Sequence, residues 1–239
     1  MNEKLREKIL SVPEFTLYFE PEKFFNSQIN VSDKFLEKIF SVGFNSKQLL
    51  KIFIGVKWKY TEEQLELCLN PGFSPEQIHE MLIWWFGGLN DGVSVEQLKP
   101  WARPDIPLDV ISSIIAYIRD GLTKEQIEFC ILESDSARRY EIYWGFADGL
   151  TMEQVLVYSK PEFSYEQAYQ LRMLFKLGLP IEEVSLYATS KYTWAKLSVI
   201  VYGYENGLTK EDIAKFANPK LKMSQMQKIC DNLIEKKKI

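Results

Sequence analysis

A chain of 239 residues, 46% hydrophobic and 14% aromatic, has ample material for a packed core and is too apolar to stay unfolded. With 29 Lys+Arg against 33 Asp+Glu, its net charge of −4 leaves no global attraction to nucleic-acid phosphates or anionic lipid. Cys68, Cys130 and Cys230 form no CxxC pair, Met1-Asn2-Glu3-Lys4-Leu5 lacks the pattern of a signal peptide, and no apolar run is long enough to span a bilayer. Zinc knuckle, disulfide framework and membrane segment are therefore not expected, and the cytoplasm is the expected compartment.

Residues 3–31 read as a degenerate helical hairpin. Pro13-Glu14-Phe15-Thr16 stands where Pro161-Glu162-Phe163-Ser164 stands later, and Pro21 breaks the second helix, which marks an end unit. From Ser32 onward a unit of about 29 residues recurs. Its clearest copies begin at Gly121-Leu122-Thr123, Gly149-Leu150-Thr151, Gly178-Leu179-Pro180 and Gly207-Leu208-Thr209, and earlier ones are Lys59-Tyr60-Thr61 and Gly92-Val93-Ser94. In five of these units the third residue, Thr61, Ser94, Thr123, Thr151 or Thr209, is an N-cap type followed three residues later by Gln64, Gln97, Gln126, Gln154 or Asp212, the spacing of a capping box. Apolar residues at i, i+3 and i+4 then give one helical face, as in Ile127, Cys130 and Ile131.

Proline often ends this first helix (Pro71, Pro104, Pro161, Pro219), and a second capping box follows in Ser74-Pro75-Glu76-Gln77 and Ser164-Tyr165-Glu166-Gln167. The second helix carries its own apolar face, as in Ile78, Met81, Leu82 and Trp85, and a glycine in left-handed conformation ends the hairpin. Three departures stand out: Pro100 lies in the body of a first helix and predicts a kink or a short helix, the 61–93 unit has four extra residues around Gly87 to Asn90, and the 123–150 unit lacks one near Ser134 to Ser136. A hairpin this short cannot bury both apolar faces alone. The prediction is an all-α protein, an α-solenoid of about eight stacked helix-turn-helix repeats forming one domain over 1–239, with end units at 3–31 and 209–239 and repeats over 32–208.

Chemistry is sparse. His79 is the single histidine, which rules out a two-His metal site within the chain; the cysteines share slots with Trp101, Tyr158 and Phe216, as buried hydrophobes do; and most carboxylates stand where they cap helices. No phosphate-binding glycine loop or calcium loop is present, so no cofactor, metal or catalytic residue is assigned and the chain is read as a non-enzyme. The remaining signal is aromatic. On a helical wheel two slots of the second helix point away from its core face, and they hold Trp84, Tyr117, Trp144 and Tyr202, which are the candidate partner-binding residues. Arg119, Arg138, Arg139, Arg172 and Lys176 on or beside the same helices supply the alternative, a nucleic-acid surface.

The unit Gly-Leu-Thr-x-Glu-Gln-Ile followed by Pro-x-Phe-Ser-x-Glu-Gln resembles short helical-hairpin repeats of low-GC Gram-positive bacteria, their phages and mobile elements, most sharply over 121–216. That resemblance implies a protein-binding module. It extends to a phage or mobile-element inhibitor of a host defence complex, such as an anti-CRISPR acting on a defence nuclease. No functional residues carry over, because such repeats share a scaffold and differ in their surfaces.

Overall fold

The computed structural model describes residues 1–27, 29–88 and 92–237. It is all-helical, with no strand among the described residues and no helix long and apolar enough to cross a membrane. The sequence predicts a single array over 1–239; by its internal contacts the chain groups into two compact units, Met1–Gly121 and Leu122–Ile239.

Capping chemistry starts the helices where the sequence places it. Thr61 accepts the N–H of Gln64 at 3.2 Å and gives its own N–H to the Gln64 Oε1 at 2.8 Å, and the same reciprocal pair occurs at Ser94/Gln97, Thr123/Gln126, Thr151/Gln154 and Thr209/Asp212. The second helices repeat the device at Ser74/Gln77 and Ser164/Gln167, and also at Asn45/Gln48, a box hidden from a search for Ser or Thr. Helix ends follow the left-handed glycine pattern. At Gly149, with φ at +85°, the Gly149 N–H reaches the Phe146 carbonyl and the Leu150 N–H reaches that of Gly145, both at 2.9 Å. Lys59 fills the equivalent place before Thr61 at φ +63°.

The predicted irregularities have local causes. Pro21 opens a separate helix, Pro21–Asn26, after the short Phe15–Tyr18 turn, and the aromatic rings of Phe15, Phe19, Phe24 and Phe53 pack together at this end. Pro100 limits its helix to Val95–Leu98, continued by a 3-10 turn at Lys99–Trp101. In the 61–93 unit, Leu89 and Asn90 lie outside the described residues, but the insertion has a visible partner upstream: Met81–Trp85 is a π-helix.

Within each unit the second helices are neighbours, tied by the amide of the capping glutamine. Gln48 Nε2 donates to the carbonyls of Pro71 (3.0 Å) and Phe73 (2.6 Å), and Gln77 Nε2 to those of Pro104 (3.0 Å) and Ile106 (2.9 Å). In the C-terminal unit, Gln167 Nε2 reaches the Tyr192 carbonyl at 2.7 Å and the Lys196 ammonium reaches that of Pro219. One end of each glutamine side chain closes its own helix while the other holds the next turn in place.

Candidate partner-binding face

Solvent-facing positions on the second helices follow directly from the N-caps. Residues one, five and nine after an N-cap drift by only about 40° per step and share one stripe of the helix. In the C-terminal unit the N-caps are Asp135, Ser164 and Thr193, each 29 residues after the last, and they open helices Ser136–Ala147, Tyr165–Lys176 and Trp194–Glu205. The stripe carries Tyr140 and Trp144 on the first, Tyr165, Tyr169 and Met173 on the second, and Trp194, Ser198 and Tyr202 on the third. Six of these are exposed aromatics. None of the three stripes contains a charge, although 26% of the chain is Asp, Glu, Lys or Arg. Tyr140 and Trp144 meet edge to face with centroids 5.9 Å apart.

Of the four residues singled out from sequence, Trp84 is 50% exposed, Trp144 37% and Tyr202 41%, whereas Tyr117 is 4% exposed and leaves the set. The reason is a difference of one residue. Trp144 and Tyr202 are the ninth residues after their N-caps, but Tyr117 is the tenth after Pro107, 100° further round and turned inward. Gly55, Gly145, Leu174 and Gly203 occupy that same tenth position and are all buried. Trp84 is also a tenth residue and is exposed because its turn is a π-turn. The wider turn rotates Trp84 outward while Trp85 and Phe86 stay in the core, the Trp85 indole N–H donating to the Ile111 carbonyl at 2.8 Å.

In the N-terminal unit Ile83 and Trp84 line a groove of about 400 Å³ with Gly87, Ser112, Ile115, Ala116 and Arg119. The fifth and ninth positions of this unit are again uncharged apart from the half-buried imidazole of His79: Leu50, Ile54, Ile83, Ser112 and Ala116. A larger groove of about 630 Å³ between first helices is lined by Lys34, Glu37, Lys38, Glu62, Glu63 and Glu66 among others. Lys38 pairs with Glu66 there, and the Ser32 N–H donates to Glu62 at 2.6 Å. First helices thus present charge, and second helices present uncharged, partly aromatic stripes.

The basic residues behind the nucleic-acid alternative are largely occupied internally. Arg172, nearly buried, bonds Glu141 at 2.9 Å and Asp148 at 2.7 Å, and Lys176 joins Asp148 at 3.1 Å. Arg138 forks onto Glu133 at 2.6 and 2.9 Å, and the buried Arg139 donates to the Glu133 carbonyl. These bonds also set the register of the helices, because Asp148 just past the end of Ser136–Ala147 stands level with Lys176 at the end of Tyr165–Lys176. Arg119 is paired with Asp120 at 3.2 Å.

The titratable groups are those of a packed interior. Burial pushes the Cys130 thiol up to about 12, that of Cys230 to about 11, and that of Cys68 higher still, so none is a thiolate at neutral pH. Burial, with Lys51 nearby, holds His79 below its ordinary value, and its Nδ1 makes no hydrogen bond. The Tyr204 hydroxyl donates to Glu183 and lies 3.0 Å from that of Tyr187, tying a first helix to a second; burial raises the Tyr204 pKa. Among the described residues no group of three His, Cys, Asp or Glu side chains is placed to hold a metal ion.

Compared with protein families, with curated proteins and with solved structures, the chain matches none.

Proposed function

We propose that this protein is a non-enzymatic helical-repeat module, an α-solenoid of about eight stacked hairpins, that binds a protein partner through the uncharged stripes of its second helices. One observation carries the reading: in the C-terminal unit three neighbouring helices expose Tyr and Trp along stripes that carry no charged residue. Large, rigid aromatic side chains at the centre of an uncharged patch are the usual anchors of protein interfaces. The resemblance to repeats of phages and mobile elements directs the search to bacterial defence complexes in the cytoplasm, with inhibition as the outcome.

The test is capture of partner from a host lysate by the tagged protein, beside a Trp84→Ala/Trp144→Ala variant. Both residues are exposed, so the variant keeps its fold, and partner recovery is expected to fall sharply. Equal recovery by both proteins removes the aromatic stripes from the reading.

A further inference from the structure

The chemistry and spacing of the three stripes select a class of partner. Adjacent packed helices lie about 8–10 Å apart. A polyproline II segment has three residues per turn and rises about 3.1 Å per residue, so one of its faces repeats about every 9 Å. A chain in that conformation, laid across helices Ser136–Ala147, Tyr165–Lys176 and Trp194–Glu205, therefore sets one face down on each successive helix. Trp144, Met173 and Tyr202, the ninth residues after their N-caps, stand there at matching levels, with Tyr169 one turn nearer the N-cap; Asp148 with Lys176 holds the first two helices in register, and the Gln167 bond to the Tyr192 carbonyl ties the second to the third. Proline rings are flat, apolar and fixed before binding, and aromatic-lined surfaces are how such segments are ordinarily held. An α-helix presents a face every 5.4 Å and a strand about every 6.8 Å, and neither matches the helix spacing.

Charge narrows the partner further. Asp148 is neutralised by Arg172 and Lys176, whereas Glu166 and Glu205, beside the stripes, enter no ion pair among the described residues. The rim of an uncharged centre is thus acidic, and it complements a basic flank.

We infer that the C-terminal unit binds a proline-rich segment with prolines at i, i+3 and i+6 and Lys or Arg flanking them, held in polyproline II conformation across the three aromatic stripes. This rests on the protein-binding reading and names the partner's chemistry.

The experiment titrates the full chain with a synthetic peptide of P-x-x-P-x-x-P spacing and lysine at both ends, read by tryptophan fluorescence and by calorimetry. Its control has the same composition with prolines at alternating and four-residue spacings. Saturable binding at least about tenfold tighter than the control is expected, with a loss of about tenfold or more in Trp144→Ala and in Tyr202→Ala, each checked for unchanged thermal unfolding. Glu205→Lys should weaken the lysine-flanked peptide and leave a serine-flanked one unchanged. Equal affinity for both spacings, or no binding, overturns the inference, as does concentration-dependent self-association abolished by Trp144→Ala, which assigns the stripes to a second copy. If the peptide fails while the Trp84→Ala/Trp144→Ala variant still loses its lysate partner, only the polyproline inference falls. If neither responds, the protein-binding reading falls with it.

Discussion

Tyr158 crosses the preceding helix at Gly145, the position where that helix has no side chain. A Cβ on Gly145 would overlap the phenol oxygen and stand 3.2 Å from its Cζ and 3.3 Å from Val155 Cγ2, and the hydroxyl continues past it to donate to the Glu141 carbonyl at 3.2 Å. Alanine is the better helix former by about 1 kcal/mol in isolation, so the sign of a substitution decides between propensity and packing. Packing wins here, because the clash is with a ring held by its own hydrogen bond in a dense interior. Gly145→Ala should cost roughly 1–3 kcal/mol in urea unfolding. In a Tyr158→Phe background, where the overlapping atom is gone, the added cost should shrink; an equal cost in both backgrounds would place the strain elsewhere.

Neighbouring tryptophans in the π-turn should behave as opposites. Trp85 is buried with its indole bonded to the Ile111 carbonyl, and Trp85→Ala is expected to lose about 3–5 kcal/mol of stability. Trp84→Ala should stay within about 0.5 kcal/mol of the parent, as surface changes do. Chemical denaturation of the two variants separates them, and a comparable loss in both would contradict the outward turn of Trp84.

The amide of Gln77 donates to two carbonyls of the next hairpin while its oxygen caps its own helix. Gln77→Glu keeps the cap and turns a carboxylate oxygen toward Pro104 and Ile106, so it should destabilise by about 1–3 kcal/mol or more. Gln126→Glu, in a first-helix box whose amide makes no such bridge among the described residues, should be nearly neutral. Thermal melts of the pair are the check, and equal effects would mean that the bridge contributes nothing.

Arg172 and Glu141 form a nearly buried pair, Glu141 being only 2% exposed. Removing one charge strands the other, so Arg172→Met should cost about 3–5 kcal/mol, and adding Glu141→Leu should recover much of it. A double-mutant cycle in denaturant measures the coupling; additive losses would show that the pair does not act as one.

Acid sensitivity should trace in part to Glu133. The hydrogen bond from Arg138, helped by the Asp135 N–H and opposed by burial, holds its pKa below the ordinary 4.5. A folded-state pKa below the unfolded value means stability fully present above 4.5 and lost as pH falls through the lower folded value. Glu133→Gln should therefore be less stable near neutrality and lose less of its stability than the parent as the pH falls below 4.5. Parallel curves for the two proteins over that range would remove Glu133 as a source.

Local chemistry made much of this legible before any coordinates. Thr61, Thr123 and Thr151 announce helix starts because a cap needs only its own next three residues, and Pro21 and Pro100 announce breaks for equally local reasons. Tyr117 was misplaced because a wheel of fixed 100° steps puts adjacent residues on the same broad outer arc, while the tenth position actually meets a neighbouring helix. Trp84 faced outward for a reason no wheel contains, a turn with one residue too many. The aromatic stripe was only half visible: Tyr140, Tyr165, Tyr169 and Trp194 belong to it, and the signal that could have found them is their shared distance from the N-caps, not from the hairpin start. The ion pairs of Arg172 lie 24 and 31 residues away in sequence, beyond any local rule.

The bifunctional glutamine has a consequence for how the chain melts. Gln48, Gln77 and Gln167 each couple the conformation of one hairpin to the ordering of the next, so a fraying hairpin withdraws bonds from its neighbour's cap. In the language of a one-dimensional lattice these amides strengthen the nearest-neighbour coupling relative to the field on each site, and they lengthen the stretch of chain that opens as a unit. Substituting them should therefore do more than lower the midpoint of unfolding. It should broaden the transition, turning a concerted opening into a progressive one that advances from the ends.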